Sequence, residues 1–403
     1  DSELDNTLNI AVLVPVYNES SGIVNTIDCL LQQSKIPEKI IIVNDGSTDN
    51  TLNTVNTIYD FEYIDIGTHS ANSSQLYVSK KFPNLFIFNK KNSGKADSLN
   101  QVIHRIDCDI IVTVDADTLL EKDAIDEAYI AFKKDPTLIA ACGVLKPVTY
   151  GGAIARLFGL FQYFEYLRAY LSRAAWSQSN ALLLVSGAFS IYNKAALIKV
   201  GGYDDTSLVE DYELIHRMHK YACENDLEWR IDVIKNARAT TDAPTTVSAF
   251  INQRKRWFAG FLRTQFKYRN MIGAAKYKSV GKLMLPIKTI DTLQPIFGLV
   301  ALFLLWRFLL TGADISTFVL SVIAIKLVID YCFHIWSLNK YYHWLGQPVP
   351  YQRWVQATLC CLADPFIFQP IRHLSALIGW TLVLETNVRW EPIRIQKNNI
   401  QKF

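Results

Sequence analysis

Two aspartates one residue apart, Asp115 and Asp117, close a short β-branched run, Asp109–Val114 (DIIVTV). Paired carboxylates at a strand end can reach a divalent cation and its hydration shell. Hard ions such as Mg²⁺ or Mn²⁺ prefer oxygen ligands and are usually completed by substrate phosphates. Asp-x-Asp is equally common in solvated loops, so the pair alone assigns nothing. Asp45 stands at another strand end, where Asp-Gly makes a turn but a nucleotide base can also be held. Lys95, after Gly94, puts a cation near the same rim. Glu210-Asp211 follows Gly201-Gly202-Tyr203 and opens a helical pattern over Tyr212–Tyr221. Carboxylates there either cap the helix or supply one ionised general base to an acceptor hydroxyl. Gln253-Arg254-Lys255-Arg256-Trp257 lies on a later helical stretch. Its basic residues either anchor the chain beside a membrane, or its Arg and Trp hold a diphosphate and stack a sugar ring. His216 and His219 are expected in surface or capping roles, which leaves a metal to the Asp115/Asp117 pair.

The elements that position these residues are legible. Asn9–Val16, Lys39–Val43, Leu85–Phe88 and Asp109–Val114 read as strands separated by helical patterns, which implies parallel βαβ units. The expected helix caps are Ser20 or Ser21 and Ser47 or Thr48. Ligands of such sheets sit beyond the carboxyl ends of the strands. Tyr17-Asn18-Glu19, Asp45-Gly46 and Asp115-Ala116-Asp117 occupy three of those ends. Residues 61–84, rich in Ser, Asn, Thr and Gly, read as a surface insertion rather than a core element.

The 403 residues are 50% hydrophobic and 12% aromatic with net charge +3, enough for a large core and unlike a disordered chain. Seven cysteines without a Cys-x-x-Cys pair argue against a disulfide scaffold or zinc ribbon. Near neutrality argues against nucleic acid as a partner. The charge is uneven: residues 276–403 hold 13 basic and 6 acidic groups, while the preceding part holds 28 and 32. The basic part contains three apolar runs, Leu293–Leu310, Phe318–Trp336 and Trp354–Leu384. The first two are about the length that crosses a bilayer, and Trp, Tyr and basic residues flank them. Lys and Arg before the first run place that side in the cytosol. The third run either bends back at its prolines or departs from the positive-inside rule. Ile154–Trp176 reads as an aromatic-rich amphipathic helix lying in the membrane interface. No secretory leader precedes residue 8 and the chain does not begin with Met, so an upstream segment is expected to have been removed or to lie outside this numbering.

Taken in order, VPVYNE (14–19), VNDGSTDNT (43–51), NSGKADSLN (92–100), DAD (115–117), VSGAFSIYNKAAL (185–197), GGYDD through VEDYEL (201–214) and QRKRW (253–257) resemble the family-2 inverting glycosyltransferases. More narrowly, they are similar to the membrane-embedded synthases that make cellulose, hyaluronan and poly-N-acetylglucosamine. The resemblance covers roughly residues 9–260. It implies an α/β fold: a GT-A, Rossmann-like nucleotide-sugar domain over 1–275, then transmembrane and juxtamembrane helices over 276–403. It further implies a multi-pass protein of the cell membrane with its catalytic domain in the cytosol. A UDP-sugar would be the donor and Mg²⁺ or Mn²⁺ the cofactor. A growing polysaccharide or a lipid-linked molecule would be the acceptor, with secretion-accessory subunits as partners.

By the same resemblance, Tyr17, Glu19 and Asp45 contact the uridine, with Lys95 near the nucleotide. Asp115 and Asp117 hold nucleotide and metal, Asp117 being the direct ligand, and Asp211 of the Glu210-Asp211 pair is the base. Gln253, Arg256 and Trp257 serve diphosphate and acceptor, and Gly187 to Ser190 form part of the acceptor cleft. The separation of Asp45 from Lys95 is longer than the family's pattern. The expected reaction is inverting transfer to a polysaccharide end with secretion of the polymer. The alternatives are single-sugar transfer to a lipid or lipid-linked acceptor, and an inactive membrane scaffold.

Overall fold

The computed structural model describes residues 7–65, 74–311 and 317–384. Its strands are β1 (Ile10–Val16), β2 (Lys39–Asp45), β3 (Phe61–Ile64), β4 (Gln75–Ser79), β5 (Leu85–Lys90), β6 (Ile110–Val114), β7 (Thr118–Leu120), β8 (Leu138–Val148), β9 (Phe189–Asn193) and β10 (Arg230–Asp242). They join in one sheet of order β3-β4-β5-β2-β1-β6-β9-β8-β10-β7. The stretch β5-β2-β1-β6 is parallel. β1 is IAVLVPV with six of its seven residues buried, and β6 is IIVTV with all five buried. Continuous apolar runs of this kind suit strands covered on both faces.

The helices are α1 (Ile23–Leu31), α2 (Thr51–Tyr59), α3 (Lys95–Ile103), α4 (Ala124–Lys134), α5 (Ala153–Ser177), α6 (Lys194–Lys199), α7 (Glu210–Glu224), α8 (Val247–Lys267), α9 (Leu285–Thr311), α10 (Thr317–Trp344), α11 (Tyr351–Ala363) and α12 (Phe368–Thr381). Neither α1 nor α2 is capped by the expected serine or threonine; Gly22 and Asn50 stand at the cap positions without a side-chain bond. Ser47 and Thr48 are used elsewhere: Ser47 Oγ accepts from the Asn18 amide, and the Thr48 and Asp49 amides donate to Asn18 Oδ1. The supposed insertion is also more ordered than its composition suggests. Its β3 and β4 pair antiparallel with each other and β4 with β5, extending the sheet at its edge. Residues 66–73 of that stretch lie outside the described residues.

The chain divides into two compact units. Among the described residues, one contains the chain up to Leu145 together with Ser177–Thr241; the other contains Lys146–Trp176 and the described chain from Asp242 to Leu384. The cut after Leu145 and the return at Ser177 set α5 with the C-terminal helices. Most of the aromatic side of α5 is buried inside its unit. Phe158 meets Phe250 at 5.8 Å, Phe161 stacks on Phe368 at 5.2 Å, and Tyr163 meets Tyr341 at 6.5 Å. At the start of the helix Ile154 and Leu157 remain exposed.

The membrane expectation is narrowed. Among the described residues one helix, Val280–Phe308, is long and apolar enough to cross a bilayer, with 11% of its most apolar stretch buried in the chain. A multi-pass arrangement does not follow from the structure. The third apolar run is broken at Asp364–Ile367 into α11 and α12, of 13 and 14 residues, each short of the roughly 20 that a crossing needs. The break falls on Asp364-Pro365: Asp364 keeps helical backbone (φ −52°, ψ −48°), but Pro365 has no N–H to donate to the preceding turn. The basic residues from Arg389 to Lys402 lie outside the described residues.

Candidate active site

The parallel register brings three strand ends together. Val16 is level with Asn44, and Leu13 with Thr113. The turns carrying Tyr17, Asp45 and Asp115 therefore leave the sheet along one edge. Asn18, at φ 58°, ties the first of these turns to the second through its side-chain oxygen. Gly46 needs its missing side chain: φ is +68°, and a Cβ there would lie 2.7 Å from the Asn92 backbone nitrogen.

Asp45 is buried and fully engaged. Its Oδ1 accepts from Lys90 Nζ at 2.7 Å and from the Ser93 amide at 2.8 Å; its Oδ2 accepts from the Gly94 amide at 2.8 Å. Lys90, which sequence reasoning passed over, thus pairs with Asp45 beneath the loop that opens α3. An isolated lysine in an apolar strand carries no signal until its carboxylate partner is placed beside it.

Lys95, the first residue of α3, is the hub of the cluster. Its Nζ lies 2.6 Å from Asp115 Oδ1, 3.5 Å from Glu210 Oε1 and 3.4 Å from the Gly187 carbonyl. Burial alone would lower its pKa, but the Asp115 and Glu210 carboxylates outweigh burial and raise it, so the ammonium stays charged. Asp211 opens α7 beside Glu210. Its Oδ2 accepts from the Gly187 amide and its Oδ1 from the Tyr212 amide, both at 2.8 Å. Burial, then the neighbouring Glu210, raises the Asp211 pKa against the opposing pull of the Gly187 amide and Lys95. Gly187 has no room to spare: a Cβ would sit 3.2 Å from Asp211 Oδ2 and 3.3 Å from Lys95 Nζ.

The Asp115–Asp117 turn is held by its backbone. The Asp115 amide donates to the Ala188 carbonyl at 3.2 Å, and Thr26 Oγ1 donates to the Ala116 carbonyl at 2.7 Å. Asp117 Oδ1 accepts from the Thr118 and Thr241 hydroxyls at 3.3 and 3.4 Å. Among the described residues no group of three or more His, Cys, Asp or Glu side chains is gathered as a metal cage. Two carboxylates at a strand end still fit a Mg²⁺-type ion, which takes one or two protein carboxylates and leaves the rest to substrate phosphates and water.

Three expectations change. Ser190 is fully buried on β9, hydrogen-bonded to Thr113, and so does not line an open cleft. It stands opposite Thr113 of β6 on a covered face of the sheet. His216 and His219 are likewise buried, not on the surface. His219 Nε2 bonds the Leu182 carbonyl at 2.7 Å, and burial pushes its pKa down to about 4.

Gln253, Arg256 and Trp257 belong to the other unit, on α8. There Arg254 is the structural member of the motif. It is buried, stacks over Trp257 at 4.2 Å and Phe250 at 4.7 Å, and pairs with Glu165 of α5 at 2.6 Å. Glu165 also faces Arg372 of α12 at 3.5 Å. Gln253 Oε1 is buried without a hydrogen-bond partner among the described residues. Removing Glu165 leaves two guanidinium groups facing each other without their shared carboxylate. Glu165→Ala is expected to destabilise this unit by about 3 kcal/mol. A thermal melt in detergent checks this; an unchanged Tm, or one equally lowered in Glu165→Gln and Arg254→Met/Glu165→Met, removes the ion triad as the cause.

Comparison with known proteins follows the same lines. Residues 11–201 match the model of glycosyl transferase family 2, and residues 110–345, more than half the chain, match that of glycosyl transferase family group 2. Over 260 residues the chain is 29% identical to the poly-beta-1,6-N-acetyl-D-glucosamine synthase of Staphylococcus epidermidis, covering 64% of this chain and 56% of that one. It is 28% identical over 265 residues to the synthase of that name from Staphylococcus aureus, with the same coverage. The chain thus spans about half the length of the curated relatives it matches. Its fold is similar to that of a mannosyltransferase from Pyrobaculum calidifontis solved with GDP-mannose and Mn²⁺. The TM-score is 0.59 at 17% identity, over 94% of this chain and 88% of the other. The carboxylate-and-lysine cluster at the strand ends, the mixed sheet around it and the two matched family models lead to one assignment: the chain belongs to the family-2 glycosyltransferases.

Proposed function

We propose that this chain transfers a sugar, with inversion, from a UDP-sugar to the growing end of a polysaccharide at a membrane. The observation that carries the reading is the cluster of Lys95 with Asp115, Glu210 and Asp211 around the Gly187 backbone. In a single in-line displacement, Asp211 takes the proton of the acceptor hydroxyl. The acceptor oxygen bonds the anomeric carbon as the bond from that carbon to the diphosphate oxygen breaks. One base suffices, and no protein nucleophile is required. Lys95 lies where it can meet the negative charge that builds on the departing diphosphate. Asp115 and Asp117 would hold Mg²⁺ or Mn²⁺, which when bound adds its own charge neutralisation to the leaving group.

Tyr17, Glu19 and Asp45 border the nucleoside end of the site, with Asp45 acting through the 90–94 loop that it holds. Gln253, Arg256 and Trp257 serve diphosphate and acceptor. Residues 1–275 form the catalytic part on the cytosolic face, anchored through the span beginning near Val280. The N-acetyl-D-glucosamine polymer for which the two staphylococcal relatives are named supports UDP-N-acetylglucosamine as donor.

A second reading, addition of one sugar to a lipid-linked acceptor, draws on the finding that one helix among the described residues is long and apolar enough to cross a membrane. Product length decides between them. Purified protein with Mn²⁺ is given UDP-N-acetylglucosamine or UDP-glucose, and UDP release and product size are measured. Release with the first donor, and chains that lengthen with time, are expected. Products of one added sugar end the polymerase reading, and UDP release with UDP-glucose alone ends the donor assignment.

A further inference from the structure

We infer that a basic cavity in the second unit is a binding site for the phosphate headgroup of an anionic phospholipid. The cavity, of 430 Å³, is formed by the end of β8, the first turns of α5 and the start of α11. Lys146, Arg156 and Arg353 line it, and none of its lining residues is a carboxylate. Lys146 and Arg156 have no ion-pair partner among the described residues. Among the described residues Arg353 finds only neutral company: Nη1 donates to Gln356 Oε1 at 2.8 Å, and the guanidinium stacks over Tyr163 at 4.3 Å. Three like charges in one concavity repel one another. An anion with several acceptor oxygens relieves that repulsion, and the two guanidinium forks match phosphate geometry.

The rim separates a lipid from a free phosphate ion. Leu157 of the lining is itself exposed, and Tyr150, Ile154 (66% exposed), Tyr351 (80% exposed) and Val355, each within a few residues of the lining along the chain, are exposed too. Exposed aliphatic and Tyr side chains around a basic pocket are the pattern of a membrane–water interface. A soluble phosphate ester gains nothing from that rim, whereas the acyl chains and glycerol of a phospholipid do. Arg156 and Leu157 share the first turns of α5, so one helix end presents both the charge and the apolar contact.

The site rests on the membrane reading above only for the source of its ligand, and its test reads lipid binding rather than sugar transfer. The full chain is purified in neutral detergent and titrated with mixed micelles of phosphatidylglycerol or phosphatidylcholine, and retained lipid is counted by native mass spectrometry. Phosphatidylglycerol should be retained and phosphatidylcholine not. Each of Lys146→Gln, Arg156→Gln and Arg353→Gln should weaken retention by about 5-fold, and the triple variant by about 100-fold. Arg156→Glu, at an exposed position without a side-chain partner among the described residues, keeps the test open should Arg353→Gln disturb the packing on Tyr163; it should lose retention more strongly than Arg156→Gln. Equal retention of the two lipids, or undiminished phosphatidylglycerol binding in Arg156→Glu, overturns the proposal. So does thermal stabilisation by inorganic phosphate or glycerol phosphate alone that equals that of phosphatidylglycerol, which would make the cavity a site for free anions.

Discussion

In Asp211→Asn, sugar transfer falls by about 10²- to 10⁴-fold while the affinity for the UDP-sugar stays near that of the parent chain. The amide keeps the size of the carboxylate, its oxygen accepting from one of the Gly187 and Tyr212 amides rather than both, and it cannot take the acceptor proton. The pH profile makes the result specific to a base. Burial and the adjoining Glu210 raise the Asp211 pKa, so the acid limb of kcat/KM should lie above the ordinary carboxylate range, with activity rising as pH rises through it. The stability term has the opposite sense. A raised folded pKa means that the protonated form is favoured in the fold; this contribution is complete below the unfolded value and is lost as pH rises through the folded one. The site therefore holds an ionised base at some cost in stability near neutrality. Initial rates against pH, with nucleotide affinity measured by calorimetry, check the prediction. Unaltered transfer in Asp211→Asn refutes the assignment of the base, and a collapse of nucleotide binding would place Asp211 in the donor pocket instead.

The second large effect belongs to Lys95. Lys95→Met should lower kcat/KM by about 10²- to 10³-fold, the range for loss of one preorganised electrostatic group. It removes the only ammonium in contact with both Asp115 and Glu210 among the described residues. Loss of that cation also ends its lowering of the Asp211 pKa, so the acid limb of the residual activity should move to still higher pH. The carboxylates left behind repel one another, and the variant's Tm should fall below that of the parent chain. Lys95→Arg, which keeps the charge, should retain more activity than Lys95→Met. A lowered Tm with unaltered kcat/KM would make Lys95 a structural ion-pair partner alone.

Much of this site was written in the order of residues along the chain. The apolar, β-branched runs within 9–16, 39–43, 85–88 and 109–114 suit strands buried on both faces. Strands with helical crossovers must run parallel, so Tyr17, Asp45 and Asp115 had to leave the sheet at one edge. The Glu210-Asp211 pair and Lys95 were singled out by residue type alone.

What the linear order does not hold is the pairing of distant polar groups. Lys90 against Asp45, Glu165 between Arg254 and Arg372, and Ser190 turned inward on Thr113 each join residues on separate elements. Their partners are chosen by burial: a charge or hydroxyl withdrawn from water must find a complement wherever packing delivers one. The length of an apolar run likewise did not decide its geometry. Trp354–Leu384 is long enough to span a bilayer, yet it is folded at Asp364-Pro365 into two short helices. By itself the sequence determined the parallel core, the strand-end carboxylates and the family. The tertiary structure alone decided which cations those carboxylates hold, which arginine of QRKRW is braced by Glu165, and that a single helix among the described residues qualifies to cross a membrane. Local periodicity depends on neighbours along the chain, whereas ion pairing and burial depend on neighbours in space.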